Sequence, residues 1–140
     1  MKQFGFTFIE LMIVLAIVSI IAAISVPSFS KYIGKEKLRR AQRDLELISL
    51  RLVNQYQRVL AYPSAEYENT ALLKAAIPKW SPTSSPNEFN FSSENATPSS
   101  YTLKSTGLTG LVKDCIVLLS HDGTQEINNC ADLAPDGAWL

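Results

Sequence analysis

Residues 11 to 26 read Leu-Met-Ile-Val-Leu-Ala-Ile-Val-Ser-Ile-Ile-Ala-Ala-Ile-Ser-Val, fourteen apolar side chains and two serines without a charge. With Phe6, Phe8, Ile9 and Phe29 on its flanks, the apolar stretch covers about 24 residues. At about 1.5 Å of rise per residue, such a helix reaches across a hydrocarbon core of roughly 30 Å. Two plain readings are a cleaved secretory signal, with Met-Lys-Gln as its head and Ala22-Ala23 as its small-residue site, and a simple membrane anchor. Neither explains Glu10. A carboxylate inside an apolar segment costs on the order of 2.5 to 3.5 kcal/mol on insertion scales, so it is kept where it has a partner or a function.

Just upstream stands Gly5-Phe6-Thr7-Phe8-Ile9-Glu10-Leu11. A short hydrophilic leader ending in Gly, an aromatic residue after it, and a Glu four residues further into an apolar helix together resemble the type IV pilin N-terminus. The resemblance implies that a prepilin peptidase cuts between Gly5 and Phe6 and that the new amine of Phe6 is N-methylated. It also gives Glu10 a role, because in a filament cored by these helices the carboxylate of one subunit meets the Phe6 amine of a neighbour. Each charge alone is costly in a low dielectric, and a subunit in the wrong axial register leaves both unpaired, so the pair sets stagger more than strength. Two features depart from the simplest pattern. Six basic residues (Lys31, Lys35, Lys37, Arg39, Arg40, Arg43) follow the apolar run while Lys2 alone precedes it. The positive-inside rule would place the rest of the chain in the cytoplasm; the motif, which implies export of the head, is given precedence. Ser19 stands where many pilins have a helix-loosening Gly. Pro27 is present, and its missing N–H predicts a kink or local melting just upstream.

Downstream, the pattern turns one-sided. Leu38, Ala41, Leu45, Ile48, Leu52, Tyr56 and Val59 recur at spacings of 3 and 4, one face of an α-helix that needs a sheet to cover it. A helix from Phe6 to about Leu60 would be near 80 Å long, so its first half is expected to project and its second half to pack on the head. The basic run around Arg39, Arg40 and Arg43 reads as a membrane-headgroup contact, a solvated face or a contact with an acidic neighbour.

Residues 61–88 hold four prolines and no strand-like alternation, which predicts a loop with a short helix over Thr70 to Ala76. Alternating runs follow at Phe89 to Phe91, Tyr101 to Lys104, Cys115 to Leu119 and Gln125 to Asn128, with His121-Asp122-Gly123-Thr124 as a hairpin turn between the last two. The expected architecture is α+β: a long kinked helix packed by its C-terminal half on a four-stranded antiparallel sheet, the pilin lollipop. The layout is a leader over 1–5, an apolar transmembrane or filament-core helix over 6–30, an amphipathic helix over 31–60, a connecting loop over 61–88, and a sheet with C-terminal loop over 89–140, the head being 31–140. Cys115 and Cys130 stand at the ends of the expected hairpin. Export favours a disulfide, worth roughly 3 kcal/mol by loop closure, and type IVa pilins carry such a C-terminal loop; the other reading is two reduced, buried thiols.

Charge and composition narrow the function classes. The chain has 140 residues, 13 basic and 13 acidic, but residues 1–60 carry nine basic and four acidic side chains and residues 61–140 four and nine. The length excludes a multidomain enzyme. One His and two Cys cannot make a conventional structural zinc site, and no P-loop or dinucleotide fingerprint is present, so ATP that drives assembly is hydrolysed elsewhere. His121 beside Asp122 reads as a turn. Asp122, Asp132 and Asp136 suit a calcium site only by analogy with secretion pseudopilins, and Asn95-Ala96-Thr97 is a glycosylation sequon by pattern alone. No catalytic residue, cofactor or metal is expected. The resemblance implies a structural pilus subunit, with a head that looks like a minor pilin's. It is made in the inner membrane with a periplasmic head and then moved into a surface filament serving adhesion, twitching motility or DNA uptake. Its implied partners are other pilin subunits, the prepilin peptidase, the inner-membrane assembly platform and, before assembly, membrane lipid. A type II secretion pseudopilin is the alternative. DNA binding is a further one, with Lys104 or Lys113 as a local patch against the acidic balance of the head.

Overall fold

The computed structural model describes residues 5–130, 133–137 and 139–140, with the backbone alone at Pro27. The chain divides into two compact bodies, one ending at Ile33 and one running from Gly34 to Leu140. Helix α1, Phe8–Val59, contributes to both.

In the first body, α1 is helical through Pro27 and exposed at every described side chain from Phe8 to Tyr32. Its hydroxyls bond to its own backbone: Ser19 Oγ donates to the Leu15 carbonyl at 2.7 Å and Ser30 Oγ to that of Val26 at 3.2 Å. Such back-bonds let a hydroxyl sit in an apolar segment without an orphaned donor. An 18-residue window of α1 has a mean hydropathy of 2.7, long and apolar enough to cross a membrane.

The second body is the α+β head. Leu38, Ala41, Leu45, Ile48 and Leu52, the face expected from their spacing, are buried. Tyr56 is half-buried and Val59 is 61% exposed, so the covered face stops a turn earlier than its periodicity suggested. The cause lies in the C-terminal cap. Leu60 adopts φ 56° and its N–H bonds to the Tyr56 carbonyl at 2.7 Å, which turns the chain away from the sheet. Helix α2, Thr70–Ala76, falls where it was expected, capped by Asn69, whose side chain accepts from Leu72 N–H.

Strands β1 (Phe89–Glu94), β2 (Thr102–Gly107), β3 (Ile116–Ser120) and β4 (Gln125–Asn128) form one antiparallel meander in the order β1-β2-β3-β4. Each expected run lies in or overlaps its strand. Strand β1 extends three residues past Phe91, and β2 begins one residue after Tyr101 and continues to Gly107, where the chain enters a short 3₁₀ turn, Gly110–Val112. The inward positions Phe89, Phe91, Leu103, Val117, Leu119 and Ile127 join the helix face in one core. At roughly 1.5–3 kcal/mol per buried large apolar side chain, this contact holds the helix on the sheet.

Both sheet edges are covered. Tyr67 bridges to Ser93 beside β1, and Asn90 accepts from Thr70 while donating to the Glu68 carbonyl, so the segment 67–70 lies stitched along that edge. At the other edge, Ile127 and Gly137 exchange backbone hydrogen bonds of 2.7 and 2.9 Å.

Polar contacts tie α1 to the loop before β1. Asp44, fully buried, accepts from the N–H and hydroxyl groups of both Thr83 and Ser84. Lys37 Nζ lies 2.7 Å from Glu88 Oε1. This hydrogen bond, more than the neighbouring charges, holds the Glu88 carboxyl below its ordinary 4.5. A depressed folded value means that the contribution is complete above the unfolded value and is lost as pH falls through the folded one. Acid titration of head stability should therefore weaken below about pH 4.5 in the native chain, and Lys37→Met should flatten that limb; an unchanged acid limb would contradict the linkage.

Candidate functional site

The N-terminal site is built by the first turn of α1. Gly5 and Phe6 precede the helix and are exposed, Phe6 by 86%. Thr7 N–H and Thr7 Oγ1 both donate to Glu10 Oε2, at 2.9 and 2.8 Å, and Glu10 N–H donates back to Thr7 Oγ1 at 3.3 Å. This reciprocal pattern is a capping box: a Thr and a Glu three residues later satisfy the orphaned donors of the first helical turn. The spacing Thr-x-x-Glu is its signal in the sequence, masked there because the resemblance assigns Glu10 to the Phe6 amine. In the isolated chain the carboxylate is thus fixed by its own helix end, next to the bond at which cleavage is expected. The first four residues of the expected leader lie outside the described residues.

The remaining expected positions are distributed through the chain. Pro27 sits within α1 without breaking its helical assignment. Cys115 and Cys130 form a disulfide with a Cα–Cα distance of 4.4 Å, joining the residue before β3 to the segment after β4. Both sulfur-bearing residues are buried, and each follows a residue in the left-handed region, Asp114 at φ 62° and Asn129 at φ 58°. Asp and Asn tolerate that conformation better than most side chains do. Arg39, Arg40 and Arg43 do not share one face. Arg39 and Arg43 are exposed and line a notch with Gln42, Glu46, Gln125 and Trp139, whereas Arg40 is half-buried and adds to the positive field on Glu88.

His121 lies in the β3–β4 turn, where its N–H bonds to the Tyr101 carbonyl, and Asp122 accepts from Thr124 N–H. That hydrogen bond, chiefly, holds the Asp122 carboxyl below its usual value. Asp136 accepts from Asn129 N–H, and Asp132 lies outside the described residues. Among the described residues no three His, Cys, Asp or Glu side chains gather as a metal site. Lys104 is tied to Glu94 at 2.8 Å.

An uncovered apolar helix that begins in a capped carboxylate, in one chain with a disulfide-closed α+β head, makes a membrane-compatible chain with a pilin-like fold. Known proteins agree with this. Residues 1–26 match the prokaryotic N-terminal methylation motif. The chain is 51% identical over 43 residues to a type IV major alpha-pilin of Moraxella bovis, covering 31% of this chain and 27% of that one. It is 35% identical over 77 residues to a fimbrial protein of Pseudomonas aeruginosa, covering 55% and 44%. It is 48% identical over 42 residues to the type IV major fimbrial protein FimA of Dichelobacter nodosus, covering 30% and 27%. The matched stretch spans less than half the length of each relative. No solved structure matches. The chain is thus similar, over its matched part, to proteins described as type IV pilins and fimbrial proteins, which are structural pilins rather than enzymes.

Proposed function

We propose that this chain is a structural subunit of a type IV pilus, cut between Gly5 and Phe6 by a prepilin peptidase, N-methylated at Phe6, and polymerised through α1. The observation that carries the reading is the uncovered apolar helix from Phe8 to Phe29 with one carboxylate, Glu10, held at its start. That much exposed apolar surface needs lipid or other helices around it. Before assembly it lies in the inner membrane with the head in the periplasm. The disulfide supports an exported head, because such bonds persist in oxidising compartments.

On this reading Glu10 has two successive partners. Thr7 holds it in the single chain, and the Phe6 amine of a neighbour takes it up in the filament, where an unpaired charge is expensive. Both Glu10→Ala and Glu10→Gln should enter the membrane normally and lower filament yield at least tenfold. The Gln variant keeps an acceptor for Thr7 and loses only the charge, so native filament yield from Glu10→Gln would assign the residue to the cap and sink the pair.

Mass spectrometry of sheared surface filaments tests the whole assignment. An N-methylated peptide beginning at Phe6 is the expected result; an unprocessed N-terminus in assembled filaments would overturn it. Relatives described as major subunits match over 43 and 42 residues of this chain, less than a third of it, so they do not speak for its abundance. The minor-subunit reading rests on the head, and the same spectra test it through the proportion of this chain in the filament.

A further inference from the structure

Between α1 and the start of β4 lies a notch of about 350 Å³. Arg39, Gln42 and Arg43 come from one side of the helix, Gln125 opens β4, and Trp139 forms a wall, its indole N–H bonded to the Leu118 carbonyl at 3.1 Å. Gln42 is only 5% exposed, and its buried Nε2 has no hydrogen-bond partner among the described residues. A buried amide donor without a partner is costly, and an acceptor brought to it removes that cost. Glu46 and Leu140 also line the notch, and Glu36 lies 4.0 Å from the Arg39 guanidinium, which leaves Arg43 outside the ion pairs found among the described residues. The donor set of one amide and two planar guanidinium forks, walled by an aromatic ring, suits a carboxylate, which Arg binds with two parallel hydrogen bonds.

The opposite edge of the same sheet offers such a group. Glu66 and Glu68 flank the Tyr67–Ser93 bridge beside β1, both exposed, and line a second notch with Glu94. Lys104 neutralises Glu94 and leaves the other two carboxylates outside the ion pairs found among the described residues. One edge is therefore a carboxylate acceptor and the other a carboxylate source. Different patches on opposite edges of one subunit form a heterologous contact, the kind that propagates along a chain of copies.

The geometry points to the notch of Arg39, Gln42 and Arg43 as a binding site for the Glu66 or Glu68 carboxylate of a second copy of this head. The inference rests on the filament reading only in that copies meet, and it adds to that reading a contact between heads.

The test uses the full chain in membranes and in sheared filaments, so failure to polymerise would count against the pilus assignment and leave this one measurable. Isotope-labelled and unlabelled chains carrying Arg43→Lys, treated together with a carbodiimide, should yield a mixed-isotope peptide joining position 43 to Glu66 or Glu68. Arg43→Glu, and separately Glu66→Arg with Glu68→Arg, should each lower recovery of head-to-head cross-linked pairs by a lysine-specific reagent at least tenfold, and combining the reversals should restore it to within threefold. All three substituted positions are exposed, so folding is retained. Native cross-linking in the reversed variants would overturn the inference, because the notch is then filled from within the chain. Loss without restoration would overturn it too, since the partner carboxylate then lies elsewhere.

Discussion

Asp44→Ala is expected to remove about 2–4 kcal/mol from the stability of the head, the combined cost of a buried backbone donor left without its acceptor and of the other hydrogen bonds lost. Asp44 is fully buried in α1 and accepts four hydrogen bonds: from Thr83 N at 2.8 Å, Thr83 Oγ1 at 2.7 Å, Ser84 N at 2.9 Å and Ser84 Oγ at 2.8 Å. The two hydroxyls can turn elsewhere. The backbone N–H of Ser84 cannot, and Ser84 is itself buried, so Ala leaves this fixed donor without an acceptor at about 1–3 kcal/mol, while the exposed Thr83 N–H can turn to water. Domains of this size have only about 5–15 kcal/mol in all, so the variant should show a large drop in urea midpoint for the full chain in detergent. Asp44→Asn keeps one acceptor and turns a second donor toward a donor, so it should fall between the two. If Asn and Ala both unfold at the native midpoint, the loop from Ile77 to Glu88 is held by something other than this carboxylate.

Gly107→Ala is expected to be as damaging, about 3 kcal/mol or more, at or beyond the upper end of the range for overpacking. A Cβ at this position would fall inside the van der Waals shell of the Val112 carbonyl, whose oxygen and carbon both belong to the backbone and cannot rotate away. The same residue bonds twice within the turn, its N–H to the Cys115 carbonyl at 2.8 Å and its carbonyl to Asp114 N–H at 2.9 Å. Making room for one methyl group therefore opens the β2–β3 connection and displaces Cys115. Lowered thermal stability together with reactive thiols on the purified variant is the expected signature; a native melting temperature with both thiols blocked would show that the turn yields easily. Gly34 makes an instructive contrast. Its added Cβ would meet Leu133 Cδ2 at 2.6 Å, but that is the end of a flexible side chain, and the cost there should be smaller.

Which features can be read from the sequence follows from how far apart their causes lie along the chain. The apolar run, the helical face from Leu38 to Leu52, α2 and the β3–β4 hairpin depend on neighbours within a few residues, and periodicity or turn chemistry reports them directly. Val59 falls on the expected buried face because spacing cannot show that Leu60 enters the left-handed region and ends the helix's contact. Asp44 is silent in the sequence because its four donors stand about 40 residues away in a segment rich in Ser, Thr and Pro, where nothing in the spacing marks an acceptor. Arg39, Arg40 and Arg43 look alike as a charge run. Only the position of β4 and Glu88 separates the pair at the notch from the residue turned toward the loop. At the candidate site the reverse holds: Thr7 and Glu10 are three residues apart and the capping box is legible, but the long-range pairing suggested by the resemblance hides the local one.

The covered edges of the sheet carry a consequence for crowding. An open strand edge is a template on which any other chain can add a strand, and proteins held close together are most exposed to that error. Here Gly137 occupies the backbone of Ile127 on one side, and the bridge at Tyr67 with the Asn90 contacts occupies the other. Such heads can stand shoulder to shoulder at very high local concentration without fusing their sheets. Where copies of this head meet, recognition is left to side chains and helices rather than to strand pairing.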